Sequence, residues 1–165
     1  MKKFSDPLFR VRALLVFFMI GLALSGLSAV PLQWELDILK PLFGAGSPVS
    51  RFFPAASIWI DQVYQGVKNG YGLYPFLAYG TDWLAFGHVA IALAFIGPVR
   101  EPIKNLWVVE FGMIICVLVL PWTLVFGPLR GIPFFSMLVD MSFGVVGIIP
   151  LWFARRGILR LACEP

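Results

Sequence analysis

The chain has 165 residues, of which 59% are hydrophobic and only 13% charged, with a formal net charge of +4. Soluble domains average roughly 45–50% apolar and about 25% charged residues. This composition, with a mean hydropathy of +0.86, excludes a disordered chain, a nucleic-acid-binding tail protein and an ordinary soluble enzyme. It specifies an all-α, polytopic integral membrane protein, and the length gives room for one domain.

A spanning helix needs about 20 mostly apolar residues. The first such run is 11–30, preceded by Lys2, Lys3, Arg10 and Arg12. Basic-then-apolar is also the pattern of a signal peptide, and small residues at cleavage-like spacing occur at Ala23 with Ser25 and at Gly26 with Ser28. The run exceeds the usual h-region of about 7–15 residues, which favours an uncleaved helix.

The segment 31–75 follows. A structureless loop of this length is unusual in a compact domain. It divides at Pro41, Gly44, Gly46 and Pro48, and then Ile60, Val63, Tyr64 and Val67 form one apolar stripe. That spacing predicts a short amphipathic helix over 55–69, stopped by Gly70. Trp34, Trp59, Tyr64, Tyr71 and Tyr74 also gather in this segment. Trp and Tyr favour the membrane–water interface, so the helix is expected to lie flat on the outer surface.

The second span is read as 76–97, ended by Gly97-Pro98, and the third as 106–126, ended by Gly127-Pro128. Gly past a helix end with Pro beyond it is a stop signal. The fourth span is 133–154, with Pro133 suited to a first turn and a short basic tail after it. Four spans put both termini on one side. That side collects nine basic residues (Lys2, Lys3, Arg10, Arg12, Arg100, Lys104, Arg155, Arg156, Arg160) against four on the other (Lys40, Arg51, Lys68, Arg130). The excess places the termini in the cytoplasm. The membrane expected is a cell membrane, of the bacterial inner-membrane kind given the basic start and no organelle targeting features.

Cys116 falls in an apolar run and Cys163 at the polar C-terminal end. No disulfide is expected from so distant a pair. With no CxxC and no Cys/His cluster, no metal site is expected. Signatures for nucleophilic hydrolysis, phosphate-binding loops, zinc proteases, dinucleotides and redox thiols are absent from the sequence.

Four ionisable groups fall inside predicted spans: Asp82, His88, Glu110 and Asp140. Such groups are costly and usually face the bundle interior. At about 1.5 Å of rise per residue, Asp82 lies roughly 9 Å and Asp140 roughly 10 Å from the outer end of their spans. His88 is deeper, and Glu110 lies near the cytoplasmic end. Ala78, Thr81, Ala85, His88 and Ala92 share one mostly small face of the second span, and small faces let membrane helices approach closely. These placements predict an outer-leaflet polar pocket of Asp82, Asp140, Thr81, Thr123 and Tyr79, with His88 at its floor and Arg130 reaching in to pair with a carboxylate. The plainer reading gives Asp82 an interfacial position, Glu110 a partner in Arg100 or Lys104, and His88 an interhelical hydrogen bond.

Three functional classes follow. The first is a non-enzymatic subunit or partner-binding membrane protein, assembling with another membrane protein or with a second copy. The second is a carrier or isomerase-like protein that binds a small ligand or lipid in the polar pocket, where paired carboxylates can share a proton. The four-span topology with buried acids at Asp82, Glu110 and Asp140 resembles, in size and topology, the emopamil-binding and sigma-2-receptor-like proteins. No residue motif accompanies that likeness, and no activity is carried over from it. The third class is haem or quinone redox chemistry. The single histidine, His88, excludes bis-histidine ligation within one chain and leaves a methionine or a second copy's histidine as the other axial ligand. No cofactor is otherwise predicted, and no nucleic-acid partner.

Overall fold

The computed structural model describes residues 6–163, so Lys2 and Lys3, counted above on the basic side, lie outside the described residues. The described chain is helical throughout, without a strand. In order come α1 (Pro7–Ser28), α2 (Leu32–Phe43), a 3-10 turn (Pro48–Arg51), α3 (Pro54–Leu73), a second 3-10 turn (Pro75–Leu77), α4 (Ala78–Ala94), α5 (Ile96–Arg100), α6 (Leu106–Leu129) and α7 (Phe134–Cys163). Four stretches are long and apolar enough to cross a membrane: Pro7–Ser28, Pro75–Arg100, Leu106–Leu129 and Phe134–Cys163. The chain divides into two compact units, one of Met1–Ala23 with Ala90–Pro165 and one of Leu24–Val89.

The first unit holds the core. Leu15, Phe95, Val109, Leu151 and Ala154 are completely buried, and Val11, Val108 and Ile158 nearly so. Glycines set the spacing of its helices. A Cβ at Gly144 on α7 would collide with the carbonyl oxygen of Cys116 on α6, and one at Gly112 would meet the Phe95 ring at 2.6 Å. Gly147 lies against Phe18, and Gly157 against Val11. Ascending positions on α7 therefore meet descending positions on α1, and these two helices run antiparallel.

Both Gly-Pro stops behave differently from their reading in the sequence. α6 runs through Gly127 and Pro128 to Leu129. The stop is Gly131, in the left-handed region at φ +68°. Gly131 N–H donates to Pro128 O at 3.1 Å and Ile132 N–H to Gly127 O at 3.0 Å, the paired bonds of a Schellman ending. Pro128 sits in the last turn, where it removes a single donor.

Gly97-Pro98 likewise lies inside helix. Pro98 has no N–H for the Ala94 carbonyl, so the ladder is interrupted there. Phe95 N–H tightens onto Ala92 O at 3.1 Å, and the chain re-enters helix as α5. The Arg12 guanidinium closes the far end, donating from Nε to Val99 O at 2.9 Å and from Nη2 to Arg100 O at 3.1 Å. Terminal helix carbonyls favour such a cation.

The basic tail read after residue 154 is also helical, continuing α7 to Cys163. Its continuation places Arg155, Arg156 and Arg160 on defined faces.

The second unit contains α2, a helix ahead of the 55–69 element that the sequence spacing predicts. Pro41 lies inside it near its C-terminal end. α3 is longer than the 55–69 expected. Its predicted stripe is its inward face: Tyr64 is buried, and Ile60, Val63 and Val67 are half-buried. Asp61 of α3 ties down the turn that follows α2, its Oδ2 accepting from Ala45 N–H at 3.1 Å. Lys40 of α2 rests 4.2 Å over the Tyr64 ring, and Lys68 Nζ donates to the Tyr64 hydroxyl at 3.0 Å.

Candidate functional site

The residues expected to form one polar pocket fall in the two units. Tyr79, Thr81, Asp82 and His88 belong to Leu24–Val89, and Thr123, Arg130 and Asp140 to the other unit.

In Leu24–Val89, α4 presents a small face that is its buried face, with Ala85 only 3% exposed. Thr81, half-buried on this face, donates to Ala78 O at 2.7 Å, and Tyr71 of α3 lies 3.4 Å from its hydroxyl. His88 continues the face. A Cβ at Gly26 of α1 would overlap His88 Cβ, so the two helices touch where one side chain is missing. His88 Nδ1 lies 2.8 Å from Leu84 O. Only a protonated nitrogen can face a carbonyl, so Nδ1 donates, and in the neutral ring Nε2 keeps its lone pair. That tautomer suits an interhelical acceptor and also an axial or metal ligand. Among the described residues no group of three metal-ligating side chains occurs.

Asp82 points away from this face and is exposed. It shares a shallow depression of about 250 Å³ with Tyr79, Trp83 and Phe86. Tyr79 and Phe86 both meet Trp83 edge-on, with centroids 5.9 Å and 5.3 Å away. This is an aromatic surface with one carboxylate in it.

In the first unit, Thr123 is half-buried, while Arg130 and Asp140 are exposed. Arg130 is expected to pair with a carboxylate, and Asp140, the one pocket carboxylate in its own unit, is not within ion-pairing distance of it. Arg130 is held at the Schellman turn, ahead of the first turn of α7. Asp140 lies among Leu138, Val139 and Phe143, each at least half exposed.

Glu110 departs from both partners expected for it. Its Oε1 accepts from Arg155 Nε on α7 at 2.8 Å, while Lys104 pairs with Glu101 at 2.8 Å. The reason is helical extension: with α7 continuing past residue 154, Arg155 comes level with Glu110 across the α6–α7 interface. The Glu101 partner holds the Lys104 ammonium above its ordinary value, chiefly through their hydrogen bond.

Sequence reasoning also missed a basic cleft between α1 and α7, lined by Arg10, Arg156 and Arg160. Arg156 stacks over the Trp152 ring at 3.8 Å. The i, i+4 spacing of Arg156 and Arg160 was the available signal, and it has meaning only once the tail is known to be helical.

No family model matches the chain, and neither curated proteins nor solved structures yield a match.

Proposed function

We propose that the chain is a polytopic, non-enzymatic protein of a cell membrane, with both termini cytoplasmic, acting as a subunit that binds a partner within the bilayer. Four helices of spanning length support the membrane reading. The nine-to-four distribution of basic residues supports the orientation.

One observation carries the subunit reading. Asp140 is exposed on an apolar face of α7 and makes no hydrogen bond or ion pair among the described residues. A carboxylate at the centre of a spanning helix costs roughly 2.5–3.5 kcal/mol, and Asp140, about 10 Å in from the outer end, bears a part of that cost. A donor or cation from another chain, a different membrane protein or a second copy, offsets that cost. The exposed Asp82, set among Tyr79, Trp83 and Phe86, offers a second contact of the same kind.

The test is gentle extraction from the native membrane followed by native mass spectrometry of wild type and Asp140→Asn. The expected wild-type particle carries additional polypeptide, and the variant loses it while the chain itself melts at an unchanged temperature. A bare wild-type monomer, or a complex indifferent to Asp140→Asn, overturns the reading.

A further inference from the structure

We infer that the cleft between the N-terminal turns of α1 and the C-terminal turns of α7 is a binding site for an anionic phospholipid, holding the phosphodiester of the headgroup with the acyl chain running inward. The inference rests on the proposed membrane-spanning reading and adds a ligand class to it.

The cleft has a volume of about 420 Å³, within the range of about 300–1,000 Å³ common to ligand clefts. Each wall is one helical face. On α1, Arg10 and Leu14 are one turn apart, and on α7, Phe153, Arg156 and Arg160 follow at spacings of three and four. Because α1 and α7 run antiparallel, both walls order their chemistry the same way. The arginine positions stand nearer the chain ends, and Leu14 and Phe153 lie deeper along their helices. A cationic rim over an apolar floor is the mirror of a lipid with an anionic head and a hydrocarbon tail.

The wall residues are held in place. Val11, in the cleft lining, is 2% exposed, and Gly157 permits its close approach. Stacking on Trp152 fixes the plane of Arg156 and leaves the in-plane N–H fork open, the geometry that grips phosphate oxygens bidentately. Arg155, next in sequence, is committed to Glu110 on another face. Among the described residues, no acidic side chain lines the cleft. Basic clefts between spanning helices on the cytoplasmic side are suited to anionic headgroups.

The full chain, purified in mild detergent, is offered equal amounts of dioleoyl phosphatidylglycerol and dioleoyl phosphatidylcholine, and bound lipid is read by native mass spectrometry. Wild type is expected to retain phosphatidylglycerol preferentially. Arg156→Gln and Arg160→Gln should each reduce that preference roughly fivefold, the equivalent of about 1 kcal/mol per basic residue. The charge-preserving pair Arg156→Lys with Arg160→Lys should lose less than the glutamine variants but fall short of wild type, because lysine keeps the charge without the planar fork, whereas Arg51→Gln, a change in the other unit, should leave the preference intact. Equal retention of the two lipids by wild type, or a preference unaltered in the Arg156→Gln/Arg160→Gln variant, overturns the inference. So does release of phosphatidylglycerol by millimolar inorganic phosphate, which marks a plain anion site. Flotation with phosphatidylcholine vesicles separates the two layers of the argument. A chain that floats but shows no headgroup preference sinks this inference alone, whereas a chain that fails to float sinks the membrane reading and the lipid site with it.

Discussion

Gly26 of α1 and His88 of α4 meet at a point of close approach, where the glycine lacks a side chain and the histidine's Cβ fills the space. The buried face of α4 is small above this point, at Ala85, so the fit is set by the Gly26–His88 pair. Gly26→Ala is expected to destabilise the protein by about 1–3 kcal/mol, the usual range for overpacking. Gly21→Ala, with nothing within 4 Å of the new methyl, should be close to neutral. The discriminating measurement is a double-mutant cycle read by thermal melting in detergent. Adding His88→Gly to Gly26→Ala should recover part of the loss, and strict additivity would count against the contact.

At Gly144 the obstacle is backbone rather than side chain. The Cys116 carbonyl oxygen cannot rotate aside, so Gly144→Ala should force α6 and α7 apart. A loss of about 1–3 kcal/mol is expected, with no relief from trimming neighbouring side chains such as Val119. Gly87→Ala, which meets nothing within 4 Å, is the matched control for helix propensity.

The Glu110–Arg155 pair is a charged hydrogen bond at 2.8 Å between half-buried groups. Removing one partner by Arg155→Met should cost roughly 1.5–3 kcal/mol. The double variant Glu110→Gln with Arg155→Met should lie closer to wild type than Arg155→Met alone, because no orphaned carboxylate is left behind. Melting temperatures of wild type, Glu110→Gln, Arg155→Met and the double variant, measured side by side, decide the matter.

Lys68 gives a pH prediction. Its hydrogen bond to the Tyr64 hydroxyl raises its pKa above the ordinary 10.5, and the nearby Tyr64 charge acts in the same direction. A raised value means the folded state holds the proton more tightly. The contribution is therefore complete below pH 10.5 and fades as pH rises through the higher folded value. Comparing wild type with Lys68→Met by melting at several pH values isolates it: the gap between them should close on the alkaline side. A gap of constant size would assign the effect to packing over the Tyr64 ring.

The four long apolar helices were legible from composition and run length alone, because hydropathy over about 20 residues is a strong signal. Their ends were not. Gly97-Pro98 and Gly127-Pro128 carry the composition of a stop, yet Pro98 falls in the first turn of α5, where its missing N–H matters least, Pro128 gives up one hydrogen bond without ending α6, and the Gly131 turn supplies the real ending. The extension of α7 was hidden for the opposite reason: its last turns are basic, and a window tuned to apolar residues stops at Ala154. The cost fell on the charged residues. Glu110 was assigned the wrong partner, and Arg156 and Arg160, which line the cleft with Arg10, were read as part of a tail. The small face of α4 was legible from its three-and-four spacing, whereas its partner Gly26 was one glycine among 16.

The Glu110–Arg155 bond also bears on how such a chain is made. In the bilayer proposed here, α6 emerges during synthesis with a carboxylate that has no partner until α7 follows, some 45 residues later. Each helix inserted alone carries a charge that hydrocarbon resists, while the two inserted as a hairpin are jointly neutral at that level. The tight Gly131 turn already joins them. The natural unit of membrane insertion is then the α6–α7 pair, and translation stalled between the two helices should leave α6 open to extraction by alkaline carbonate until Arg155 has left the ribosome.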